Sequence, residues 1–116
     1  MMIVDVLNGK LDIKLSGWDA VWTMKRHISV SLNHIKNVEV GPAPNLKRIT
    51  RRAAGSRWPG HIIAGRFQVN GAWTFWNIRK GERVVVIDLE GENYSRLVLE
   101  VPDPEGLVEI VKRAMG

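Results

Sequence analysis

The sequence contains no cysteine. Disulfides, thiolate metal sites and cysteine nucleophiles are excluded together, and a reducing compartment is the natural fit. Acidic residues are missing from a long central stretch. None occurs between Glu39 and Glu82, whereas Lys47, Arg48, Arg51, Arg52, Arg57, Arg66, Arg79 and Lys80 all fall there. Long apolar runs are absent as well. Asp5 and Asp12 interrupt the N-terminal stretch before it could act as a signal sequence. Nothing approaches the roughly 20 apolar residues of a membrane span. These absences predict a cytoplasmic chain without an integral membrane segment.

Signatures of chemistry are equally sparse. There is no G-x-S-x-G, P-loop or dinucleotide fingerprint, and Gly55-Ser56-Arg57 lacks the glycines of a nucleophile elbow. His27, His34 and His61 show no metal-ligand spacing. Asp88, Glu90 and Glu92 lie close together but read as a solvated hairpin tip. The expectation is a protein without metal or cofactor that is not an enzyme.

What remains is an ordinary globular composition. The chain has 116 residues, 45% of them hydrophobic and 25% charged. That length and balance fit one domain spanning residues 1–116, long enough to bury a core. The net charge is +5 and the isoelectric point about 10.0, which admits an anionic partner without requiring one.

Periodicity predicts a mainly β fold of the α+β kind. Met2–Leu7 and the alternating Leu11–Leu15 flank Asn8-Gly9, the residue pair a type I′ hairpin turn demands. A short helix is expected over 17–26, with Ser16 and Asp19 in capping-box spacing and Lys25-Arg26 at its end. Ile28–Leu32 and Ile35–Val40 read as strands, and Gly41-Pro42-Ala43-Pro44 then stops regular structure. From there to Gly60 a long loop is expected, with room for a helical turn near Leu46–Arg52.

The second half reads as a meander. Its strands are Ile62–Val69, Ala72–Ile78, Arg83–Leu89 and Tyr94–Val101, with Asn70-Gly71 as a second hairpin turn. Asp103 and Pro104 open a final helix whose Leu107, Ile110, Val111 and Met115 share one face. The expected architecture is a bent antiparallel sandwich or partial barrel of about seven to eight strands, closed by this helix.

Three stretches together carry a family resemblance. They are Ile28 to Val40, the hairpin from Gly65-Arg66-Phe67 to Trp73-Thr74-Phe75-Trp76, and Tyr94 to Ala114 with its terminal helix. In this order they resemble the bacterial pleckstrin-homology-like (PH-like) domains. The resemblance implies a strongly bent sandwich whose C-terminal helix plugs one open end. Two departures matter. Phosphoinositide-binding members carry a basic pattern around the first hairpin, whereas here Lys10 and Lys14 are followed by Leu15-Ser16-Gly17. The helix over 17–26 also stands where the simplest version of the fold has only a connection.

The acid-free interval yields the candidate surface. Lys47, Arg48, Arg51 and Arg52 would gather on one side of a helical turn, and Arg57-Trp58 sets a cation beside an aromatic. Guanidinium groups bind phosphate or carboxylate in a planar fork, and indoles offer a stacking surface. Neighbouring strands add Arg66, Trp76 and Arg79. The alternative is a solvated surface whose charges serve solubility. Trp73 and Trp76 must lie on opposite faces of one strand, so either both faces are covered or one indole is exposed. The expected activity is that of a binding module for a protein partner or an anionic ligand such as a lipid headgroup. Self-association through a strand edge or an exposed Trp is a companion expectation, and nucleic-acid binding by the basic 46–60 segment is the alternative.

Overall fold

The computed structural model describes residues 1–44, 49–57 and 63–116, and for 49–57 and Trp22 the backbone alone. The chain is mainly β, arranged as two sheets with two helices. Met2–Leu7 (β1), Lys10–Leu15 (β2) and His27–Ser31 (β3) form an antiparallel sheet in the order β1-β2-β3. Gly17–Thr23 (α1) joins β2 to β3, and a 3-10 turn at Leu32–His34 leads onward. Ile35–Gly41 (β4), Ile49–Arg57 (β5), Ile63–Val69 (β6), Ala72–Ile78 (β7), Val84–Leu89 (β8) and Arg96–Leu99 (β9) form the second sheet. Its order is β4-β8-β9-β7-β6-β5, so no barrel closes. Pro104–Met115 (α2) ends the chain. Among the described residues no helix is long and apolar enough to cross a membrane.

Both Asn-Gly turns form as expected. Asn8 and Gly9 have φ of 53° and 75°, Asn70 and Gly71 of 53° and 82°. That is the left-handed pair that matches the twist of the flanking strands. The main core lies between the sheets, where Leu11, Ile13 and Val30 meet Phe75, Ile87 and Leu97. α2 closes it with Leu107, Val108 and Val111, and lies against β1, β4 and β8. Asp103 caps α2 by accepting from the Gly106 N–H at 3.1 Å. The sequence face is corrected in part: Ile110 is 55% exposed and Met115 40%, while Val108 is buried.

A second cluster on the outer face of the larger sheet holds Phe67, Trp76, Ile78, Val84, Val86 and Val98. The central strands are therefore buried on both faces, which is why β8 opens on the unbroken run Val84-Val85-Val86-Ile87. Trp76 is buried on the outer face, and Trp73 is half-buried against the main core.

Three expectations are overturned. The long loop expected to run from Gly41 to Gly60 contains β5, paired along β6 from Ile49↔Val69 to Arg57↔Ile63 with two register shifts. Ladder hydrogen bonds to a neighbour outweighed the weak local pattern of an Arg-rich segment. The meander is broken as well, because β9 lies between β7 and β8 and pairs parallel to β7. The residues joining β7 to β8 fasten onto the end of β9: the Glu100 side chain accepts from Lys80 N at 3.0 Å and Gly81 N at 2.8 Å. β8 lands one position away from β7, and β9 fills the gap.

The third correction concerns α1. It ends at Thr23, with Met24 left-handed at φ 56°. Ser16 makes no side-chain cap bond. Asp19, expected to reach back in a capping box, is buried and accepts instead from Arg79 at 3.2 Å and the N-terminal ammonium at 2.9 Å. A buried carboxylate gains more from two cations than from one backbone N–H. Trp18 and Val21 face outward at 69% and 62% exposure, and Ala20 packs on the core.

Candidate functional site

Strand alternation that sends Ile87, Leu89, Leu97 and Phe75 inward sends Asp88, Arg96 and Thr74 outward. The register then lines these outward residues up. Asn37 of β4 stands opposite Asp88 of β8, Asp88 opposite Arg96 of β9, Arg96 opposite Thr74 of β7, and Thr74 opposite Phe67 of β6. One polar row thus crosses the outer face of the sheet.

Its members are tied together. Arg96 Nε donates to Asp88 Oδ1 at 2.7 Å. Thr74 Oγ1 donates to the Phe67 carbonyl at 2.7 Å and accepts from the Trp76 indole N–H at 2.8 Å. Each polar atom of this buried pair has a partner, which fixes the indole in one orientation. Above the row lies a cleft of about 590 Å3, bordered by Lys36, Asn37, Pro44, Asn70 and Ser95 and floored by Thr74, Trp76 and the Asp88–Arg96 pair. Arg96 makes one side-chain hydrogen bond among the described residues, through Nε, so its two Nη groups remain as donors. Exposed Lys36, Asn37 and Asn70 add further donors and acceptors at the rim.

The residues singled out in the sequence are dispersed over the molecule. Lys47, Arg48 and Trp58 lie outside the described residues. Arg51, Arg52 and Arg57 belong to β5, where they stand opposite Gln68, Phe67 and Ile63. The helical turn that would have gathered Arg51 and Arg52 does not form. Trp76 lies in the outer cluster, whereas Arg66 stands opposite Phe75, a main-core residue, and so belongs to the inner face. Arg79 is paired with Asp19 at the end of β7. Arg66, Trp76 and Arg79 therefore do not share one surface.

The acids near the β8–β9 turn part ways. Asp88 is a strand residue in the cleft. Glu92 accepts from His34 Nδ1 at 2.6 Å and from the Ser31 N–H at 3.2 Å, clasping the two sheets together. The His34 hydrogen bond is the leading reason that the Glu92 carboxyl titrates below the usual range. Among the described residues no group of three histidine or carboxylate side chains converges on a common point.

Sequence reasoning missed Arg96, Asp88, Lys36 and Asn37. Alternation alone would have placed Asp88 and Arg96 on the face opposite Ile87 and Leu97. The β8–β9 hairpin of the expected meander would have set them side by side, whereas bringing Thr74 and Asn37 to them depends on the β7–β9 and β4–β8 pairs, which no local pattern reports. Scanned against protein-family models, curated proteins and solved structures, the chain matches none of them.

Proposed function

We propose that the protein is a non-enzymatic binding module of PH-like type, whose outer sheet face recognises a segment of a partner protein. The observation that carries this reading is the cleft over Trp76, where Arg96 is held by Asp88 through Nε and keeps both Nη groups as donors. A pre-positioned guanidinium on a rigid floor, ringed by exposed amides and Lys36, has the character of the arginine anchors of protein-binding hot spots. Rigid strands hold it, so little ordering is required on binding. Self-association is a special case, in which the segment comes from a second copy.

Nucleic acid is the weaker reading. Base stacking needs exposed indoles, and Trp76, the indole of this cleft, is only 2% exposed. Binding driven by phosphates would also fall steeply with salt, whereas the cleft predicts a shallow dependence.

The test is selection of peptides from a random display library, followed by amide chemical-shift mapping on the labelled protein. Shifts centred on Lys36, Asn37, Thr74, Asp88 and Arg96, lost in Arg96→Ala, are the expected result. Shifts centred elsewhere, or equal binding by Arg96→Ala, would remove the reading. Light scattering of the free protein separates the case of a second copy.

A further inference from the structure

Arg66 is the middle residue of β6 and stands opposite Phe75, on the inner face of the larger sheet. The residue is half-buried, and its Nε is fully buried with no hydrogen-bond partner. Its neighbour is the Tyr94 hydroxyl. Tyr94 is itself buried, with its ring 5.8 Å from that of Phe75.

A buried guanidinium N–H ordinarily has an acceptor, most often a carboxylate, because leaving it unpaired is costly. None is supplied here. The chain has 12 acidic residues, and every one lies among the described residues. Asp12, Asp19, Asp88, Glu92, Glu105 and Glu109 pair with other cations, and none of the acids forms an ion pair with Arg66. The acid-free interval between Glu39 and Glu82 contains β5, β6 and β7, so the strands beside Arg66 carry no carboxylate, and Asp19 of α1 is taken by Arg79 and the N-terminal ammonium.

We infer that the counter-charge comes from outside the chain, and that Arg66 with Tyr94 forms a seat for a small oxyanion, a phosphate or carboxylate group. Arg66 supplies the N–H fork that matches two oxygens of such a group. The Tyr94 hydroxyl supplies a further donor. The seat lies on the face opposite the outer cleft and does not depend on it.

The experiment follows the Arg66 Nε–Hε resonance and the melting temperature of the full chain. Inorganic phosphate, acetate, and phosphatidylcholine vesicles with and without phosphatidate are added at ionic strength fixed with sodium chloride. A saturable shift of that resonance with a rise in melting temperature is expected, since a ligand bound only by the folded state stabilises it. Arg66→Met should weaken the anion by about tenfold or more, and in chloride alone it should melt no lower than the parent. Tyr94→Phe should weaken it by less. Response to free phosphate or acetate identifies a soluble anion, and response to phosphatidate vesicles alone identifies a headgroup. No saturable shift with any of these, or an undiminished response in Arg66→Met, would overturn the seat. If Arg66→Met fails to fold, Arg66→Lys serves. It keeps the charge and loses the fork, so an unweakened response there would overturn the seat equally.

Discussion

Thr74 is the residue on which the outer face turns. Its hydroxyl donates to the Phe67 carbonyl and accepts from the Trp76 indole. Thr74→Val keeps the shape and leaves both groups without their partner, and should cost about 1–3 kcal/mol in urea unfolding. Asp19 plays a comparable part at the other end of β7. Burial would raise its pKa, but hydrogen bonds from the N-terminal ammonium and Arg79 outweigh this and hold it below the usual carboxylate range. A lowered folded pKa contributes stability above the unfolded value, about 3.9, and loses it as pH falls through the folded value. Asp19→Asn should therefore cost about 1.5–3 kcal/mol near neutrality. The gap from the parent should close as unfolding is repeated at progressively lower pH below about 4. Neither role was visible in the sequence. Asp19 looked like half of a capping box, and only the fold brings Arg79 to it.

At the scale of elements, local signals succeeded where one residue type dictates backbone geometry. The two Asn-Gly turns and the Asp103-Pro104 opening of α2 are of this kind, since left-handed φ and a missing N–H leave few alternatives. They failed where pairing decides. β5 has no strong alternation and is a strand because β6 offers it a ladder. The face of α2 was half legible. Leu107→Ala should cost about 2–5 kcal/mol, whereas Ile110→Ala should stay within about 0.5 kcal/mol of the parent. Equal losses in thermal unfolding of the two variants would contradict the orientation of the helix. At the turn, Gly71 has φ of +82°, so Gly71→Ala should cost about 1 kcal/mol in the same assay.

The whole molecule is two sheets around one core, with a second apolar layer on the outside of the larger sheet. Composition and alternation made the β class, the closing helix and the opposite facing of Trp73 and Trp76 legible, and left open whether both faces were covered. The strand order was not, because the parallel β7–β9 pair joins residues distant in sequence and leaves no mark in local periodicity. The cleft inherits that illegibility, since Asn37, Asp88, Arg96 and Thr74 meet only through the order of β4, β8, β9 and β7. The Asp88–Arg96 pair is partly exposed, so its removal should change stability by no more than about 1 kcal/mol. Loss of binding in an Arg96 variant can then be read as recognition and not unfolding. Calorimetry of a library-selected peptide against the parent, Arg96→Ala and Arg79→Ala tests that role most directly. The account predicts a loss of about tenfold or more for Arg96→Ala and unchanged affinity for Arg79→Ala, whereas equal affinity for parent and Arg96→Ala would contradict it.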